Sequence, residues 1–129
     1  MKDSPPYIAV VDDEPAVLKA LERLFRSAKI EVAIFASGAE FLASTKIRQP
    51  DCVVLDLHMP EMNGFDVLSR LPASAVGKVP VVAISAHDTP TTRQRAIAAG
   101  ATDYLQKPFD AQSLLSAVRT AIAHPSAPT

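Results

Sequence analysis

The sequence predicts an α/β domain in which a five-stranded parallel sheet is covered by helices on both faces. Short apolar runs alternate strictly with segments whose apolar residues recur at helical spacing, and this alternation is typical of βα units. Two of the runs, Val53–Leu55 and Val81–Ile84, are continuously apolar, so we expect both faces of these strands to be buried. A chain of 129 residues is long enough for one such doubly wound domain, which we place at residues 7–123.

The first half of this domain is predicted to begin with two strand–helix units. The first strand is predicted at Ile8–Val11, and apolar residues at helical spacing predict the first helix at Pro15–Ser27. Proline suits the first turn of that helix, because the N–H that it lacks would have no partner there. A second strand is predicted at Glu31–Ile34, and the helix that follows it, Ala39–Ser44, has Ser37 in the position of an N-cap.

The second half continues the same alternation. Gly100 is suited to end the fourth helix in the left-handed conformation, and Asp110 is suited to cap the fifth helix. Residues His124–Thr129 contain two prolines and are interpreted as a tail or the start of a linker. The remaining strands are predicted at Cys52–Leu55, Val81–Ile84 and Asp103–Leu105, and the remaining helices at Gly64–Leu71, Thr91–Ala99 and Ala111–Ala123.

Composition narrows the class of protein. The net charge of −1 shows no basic excess, so we expect neither nucleic acid nor an anionic membrane surface as a partner of this domain. No apolar stretch is long enough to span a bilayer, and no secretory signal segment opens the chain. The single cysteine, Cys52, excludes an internal disulfide, so a reducing, cytoplasmic setting is expected. The four scattered glycines form no glycine-rich nucleotide loop.

Charged and polar residues stand where four of the predicted strands end. Asp12 and Asp13 follow the first strand, Asp56 the third, Ser85 the fourth and Lys107 the fifth. In an open parallel sheet, ligands bind outside the carboxyl ends of the strands, and a strand order of 2-1-3-4-5 makes the first and third strands neighbours. Three carboxylates at close range repel one another unless a cation lies among them, and an oxygen-lined site of this kind suits Mg²⁺.

The motifs at these strand ends carry a family resemblance. VVDDEP, VVLDLHMPEMNG, AISA and GATDYLQKPF occur in this order, and together they resemble the response-regulator receiver domains of two-component signalling over residues 7–123. The resemblance implies a flavodoxin-like fold and a sensor histidine kinase or phosphotransfer protein as phosphoryl donor. It implies that Asp56 is the phosphoryl acceptor. It also implies that Asp12, Asp13, Asp56 and the backbone carbonyl of His58 hold Mg²⁺, with Asp13 a direct ligand and Asp12 acting through water.

Three further roles follow from the resemblance. Ser85 is expected to be the switch hydroxyl, Lys107 the phosphate-binding ammonium and Tyr104 the switch aromatic residue. The family also has a cis bond at the position of Lys107–Pro108, which the sequence alone allows only as an uncommon option. The expected function is a phosphorylation-dependent switch, not an enzyme, although it assists its own phosphorylation and dephosphorylation. Phosphorylation is expected to change the surface formed by its fourth strand, fifth strand and last helix, and so to alter partner binding or dimerisation.

Two histidines are candidates for setting the lifetime of the phosphoryl group. His58 lies two residues after Asp56, and His87 lies two residues after Ser85. We expect both side chains to obstruct the water that attacks phosphorus, since in-line attack tolerates little crowding. A histidine could instead orient that water, or both could be solvated loop residues without effect.

Other interpretations remain open from the sequence. Asp12, Asp13 and Glu14 could simply form a solvated cap for the first helix. A Mg²⁺-dependent phosphohydrolase is disfavoured because His58 stands where such enzymes carry a second acid. A phosphorylation-independent interaction module is disfavoured because the acceptor, the acidic pair and the lysine are all present. The sequence identifies neither the cognate kinase, nor an output domain, nor the oligomeric state.

Overall fold

The sheet has the predicted strand order. A computed structural model describes residues 5–71, 79–86 and 89–123. Within them, five strands form one parallel sheet in the order β2-β1-β3-β4-β5. The strands are β1 (Tyr7–Val11), β2 (Glu31–Phe35), β3 (Cys52–Asp56), β4 (Val81–Ser85) and β5 (Asp103–Gln106). The strand β1 begins one residue earlier than predicted, and each of the other four strands ends one residue later than predicted.

A helix follows each strand, as the alternation predicts. The helices are α1 (Pro15–Ser27), α2 (Gly38–Ser44), α3 (Gly64–Arg70), α4 (Pro90–Ala98) and α5 (Ala111–Ala123). The bounds of α1 and α5 are those predicted, α2 and α3 each differ by one residue at one end, and α4 begins and ends one residue earlier than predicted. No helix in the described part of the chain combines the length and apolar character needed to cross a bilayer. The predicted tail, residues 124–129, lies outside the described residues.

The sheet separates two hydrophobic cores. Alternate β1 side chains point to opposite faces, so Ile8 and Val10 enter one core while Ala9 and Val11 enter the other. The first core packs α1 and α5 against the sheet around Phe25. The second packs α2, α3 and α4 on the other face. All five residues of β1, β3 and β4 are buried, which confirms the central strands predicted from continuous apolar runs.

Side-chain caps set the helix starts. Ser37 accepts a hydrogen bond from the Glu40 N–H at 3.2 Å, and Asp110 accepts one from the Ser113 N–H at 2.7 Å, so both predicted caps are confirmed. The start of α3 is a reciprocal capping box between Asn63 and Asp66, which the sequence analysis did not identify. Gly100 follows α4 with φ +111°, as expected for a residue that ends a helix in a left-handed conformation.

Candidate functional site

Three carboxylates converge at the carboxyl ends of β1 and β3. One oxygen from each of Asp12, Asp13 and Asp56 lies within 4.8 Å of the others. Asp12 is fully buried, Asp56 is 3% exposed and Asp13 faces solvent. The strands are adjacent and in register, with Val11 opposite Leu55, so the residues that follow them are brought together. The sheet therefore creates the acidic cluster expected from the strand ends.

Lys107 reaches into this cluster from the end of β5. Its Nζ lies 2.8 Å from Asp12 Oδ2, 3.7 Å from Asp56 Oδ2 and 3.2 Å from Glu14 Oε1. The sequence predicts Lys107 at this site, but its contact with Glu14 was not predicted. The one sequence signal for that contact is that Glu14 directly follows Asp12 and Asp13. The same three residues are equally typical of a helix cap. One ammonium thus faces a cluster of several negative charges.

Backbone hydrogen bonds hold these side chains in place. The Glu14 N–H donates to Asp12 Oδ1 at 2.9 Å, so Asp12 is fixed on both sides, by the backbone and by Lys107. The His58 N–H donates to Asp56 Oδ1 at 3.2 Å. The Lys107 N–H donates to the Ser85 carbonyl at 2.7 Å, which ties the lysine to the end of β4. The Lys107–Pro108 bond is cis.

The helix-cap interpretation of the acidic run receives no support. The N-cap of α1 is Glu14, and its side chain makes no capping hydrogen bond. Asp12 is buried, not solvated, with one oxygen accepting from the Glu14 N–H and the other paired with Lys107 in the cluster. The negative charges of the run are therefore directed at the site between the strands.

Burial dominates the electrostatics of Asp56. Burial, with the neighbouring Asp12 charge as a smaller cause, raises the pKa of the Asp56 carboxyl to about 7, against the opposing effects of the His58 N–H and Lys107. Burial lowers the pKa of Lys107, but the hydrogen bond to Asp12 and the charge of Asp56 outweigh it, so that pKa is raised overall. The cluster holds more negative charge than Lys107 neutralises. Its hard oxygen donors, clustered within reach of one another, fit a divalent cation such as Mg²⁺.

Three further predicted residues, Ser85, Tyr104 and His58, lie in the described part of the chain. Ser85 is buried at the end of β4, one residue beyond the Asp56–Ile84 register pair. Tyr104 on β5 is 2% exposed, so its ring already lies inside the protein. The His58 side chain, two residues after Asp56, is exposed. His87 lies outside the described residues, so its expected place near the site stays a prediction.

Comparison with known proteins gives consistent matches over nearly the whole chain. The model of the response regulator receiver domain matches residues 8–119. The response regulator protein TmoT of Ectopseudomonas mendocina is 41% identical over 122 residues, which are 95% of this chain and 55% of TmoT. The chain spans about half the length of the curated relatives that it matches.

Solved structures give the same result for the fold. The crystal structure of a response regulator receiver protein from Burkholderia phymatum is 42% identical with a TM-score of 0.79, covering 96% of this chain and 99% of that one. The structure of the response regulator StyR is 39% identical with a TM-score of 0.81, covering 92% of this chain and 60% of StyR. The strand order and the acidic cluster described above are thus found in a chain whose relatives are response regulators.

Proposed function

The chain belongs to the response-regulator receiver family of two-component signalling, and from this membership we propose that Asp56 accepts a phosphoryl group. The observation that carries the proposal is the environment of the Asp56 carboxylate. It is buried beside Asp12 and Asp13, and its Oδ2 lies 3.7 Å from the Lys107 ammonium. Phosphoryl transfer depends mainly on positioning and on neutralising the charge of the transferred group, and this cluster supplies groups for both.

Each residue has a separate part in the proposed transfer. An oxygen of Asp56 attacks phosphorus as the bond from phosphorus to the donor histidine breaks. Asp12, Asp13 and Asp56, with the His58 carbonyl, would hold Mg²⁺, which supplies positive charge against the phosphoryl oxygens. Lys107 moves from its pairing with Asp12 to a phosphoryl oxygen, and the Ser85 hydroxyl donates to another. The two acids differ in availability, since Asp12 already pairs with Lys107 while Asp13 faces solvent. Asp13 is therefore the better candidate for a direct ligand.

The donor, the cell compartment and the output are proposed from the same premise. A sensor histidine kinase or a phosphotransfer protein donates the phosphoryl group, and the domain acts in the cytoplasm. The phosphorylated domain changes its β4–β5–α5 surface and so its binding to a partner or to a second copy. The domain acts as a signalling switch, and it assists the loss of its own phosphoryl group as well as the gain.

Labelling by a small phosphodonor tests the acceptor. We expect acetyl phosphate with Mg²⁺ to add a single phosphoryl group that is labile to base and hydroxylamine, and we expect Asp56→Asn to take up none. Asp103→Asn is the matched control, because it removes an exposed carboxylate at the start of β5, at the opposite end of the strands from the site. Labelling of Asp56→Asn at the wild-type level would show that another residue is the acceptor. Wild-type labelling in excess chelator would contradict the metal site.

A further inference from the structure

Helix α4 has little apolar surface with which to dock on the sheet. Ala96 is the one buried residue among the nine of this helix, whereas α1 has three buried residues and α5 has five. Helices in proteins owe most of their stability to the packing of an apolar face. A single alanine methyl group contributes little of that, so other contacts have to fix the position of α4.

Two arginine side chains supply such contacts on either side of Ala96. The Arg93 guanidinium carbon lies 4.8 Å from the centroid of the Tyr104 ring, and that of Arg95 lies 4.2 Å from the centroid of the Phe65 ring. Successive residues of a helix are about 100° apart around its axis, so Arg93 and Arg95 flank the buried Ala96 on opposite sides. Arg93 therefore connects α4 to β5, and Arg95 connects it to α3.

The contact of Arg93 is made with an inward-facing ring. Tyr104 belongs to the core on the α2–α3–α4 side of the sheet, together with Ala83, Ala96 and Ala101. A cation over the face of an aromatic ring is attracted by the negative charge of that face. A ring that turned out of the core would leave the position in which Arg93 now covers it, and the attraction would be lost. The contact thus favours the inward position over the outward one.

We infer that Arg93 is a positioning residue that holds the Tyr104 ring inward beneath α4. The part that concerns signalling rests on the proposed function and on the switch role expected of Tyr104, in which phosphorylated Asp56 draws Ser85 inward and the Tyr104 ring moves in behind it. By favouring the inward ring, Arg93 then also favours the phosphorylated state. No motif pointed to this residue, because Arg93 lies on an exposed helix face eleven residues before Tyr104. Cation–π contacts at exposed sites are weak, so Arg93 is expected to change the ratio of inward to outward ring by roughly two- to fivefold.

The position of the ring can be measured directly by fluorine NMR. The sequence has two tyrosines, so 3-fluorotyrosine gives two resonances, and Tyr7→Phe assigns them. We expect Arg93→Gln to shift the Tyr104 resonance towards that of an exposed ring, and Arg93→Lys, which keeps the charge, to restore part of the shift. Arg95→Gln is the matched control, because it removes the same charge from the same helix, while Arg95 contacts Phe65 and not Tyr104.

A second measurement connects the ring to the switch. Beryllofluoride with Mg²⁺ mimics the phosphoryl group, and we expect Arg93→Gln to need roughly two- to fivefold more of it for half-saturation, with Arg95→Gln near wild type. An unchanged Tyr104 resonance in Arg93→Gln overturns the inference, and so does an equal change in Arg95→Gln, which would mean general loosening of α4. Failure of the wild-type chain to bind beryllofluoride contradicts the proposed function instead, while the resonances still decide the role of Arg93.

Discussion

The residue that governs the electrostatics of the site is Asp56, a carboxyl buried beside other carboxyls. Its pKa of about 7 means that folding favours the protonated form, since an unfolded chain holds an aspartate near its ordinary value of 3.8. Metal binding and phosphoryl transfer both need the deprotonated form. Without a bound cation, the Asp56 carboxyl is therefore costly to ionise in the folded state.

A dependence of stability on pH follows. The pKa of Asp56 is higher in the folded than in the unfolded chain, so protonation of this carboxyl stabilises the fold. That stabilising contribution is complete below about pH 4 and is lost as the pH rises through 7. We expect the free energy of unfolding without Mg²⁺ to fall by roughly 2–4 kcal/mol from this group across that range. Chemical denaturation between pH 4.5 and 8 measures it, with Asp103→Asn as control. A profile for Asp56→Asn as steep as that of the wild type would assign the dependence to other groups.

Asp13 is expected to show opposite effects with and without metal. Asp13→Ala removes one of three mutually repelling carboxylates, so thermal unfolding in chelator should show a gain of about 1 kcal/mol. The same variant should lose most of the stabilisation that Mg²⁺ gives to the wild type, because it lacks a ligand. The comparison is a pair of melting curves for each protein. A loss of stability in chelator, or full stabilisation by Mg²⁺, would contradict this role for Asp13.

Effects of His58 and His87 on phosphoryl lifetime stay predictions.

At the scale of the elements, the loop between β3 and α3 holds Asp56 in place. A Cβ atom at Gly64 would lie 2.6 Å from the Asp56 carbonyl oxygen and 2.7 Å from the Leu57 Cα. Real Cβ atoms do not approach backbone so closely, so any side chain at Gly64 has to displace the end of β3. The start of α3 and the position of Asp56 are therefore set together.

Gly64→Ala is expected to damage both stability and phosphorylation. Overpacking should lower the free energy of unfolding by about 1–3 kcal/mol, and the displaced Asp56 should be labelled several-fold more slowly. Gly100→Ala is the matched control. No atom lies within 4 Å of a Cβ there, so its cost is the backbone strain at φ +111° and its labelling rate should be that of the wild type. Equal labelling of the two variants would show that the Gly64 contact does not position the acceptor.

Hydrogen exchange tests the coupling between the acceptor and the surface. A phosphoryl oxygen gives the Ser85 hydroxyl a strong acceptor, which favours one arrangement of β4, α4 and β5 over the other. With beryllofluoride and Mg²⁺, we expect altered exchange at residues 89–98 and 102–107 and little change in α1 at residues 15–27. The same experiment on Asp56→Asn is the control. Exchange that is unchanged in those segments of the wild type would contradict the coupling.

The sequence could predict elements whose signals are local. The helical spacing of α1 and α5 placed their bounds correctly, and continuous apolar runs identified the central strands. Strands β3, β4 and β5 run one residue further than predicted, because the polar residues Asp56, Ser85 and Gln106 still pair in the sheet. The contacts Lys107–Glu14 and Arg93–Tyr104 join distant parts of the chain, so no local pattern could reveal them. The Asn63 cap was readable from sequence, but its signal was overlooked.

For the whole molecule, the division of the core by the sheet separates two tasks. The core around Phe25 lies between the sheet and α1 with α5, whereas the ring of Tyr104 and the single buried residue of α4 belong to the opposite core. Close-packed interiors transmit strain, but the three fully buried central strands between them limit how far a rearrangement on one face disturbs the other. For protein engineers, this arrangement makes the two faces separate design variables. Substitutions between α1 and the sheet would tune heat resistance, and substitutions around Tyr104 would tune responsiveness, each with modest cost to the other property.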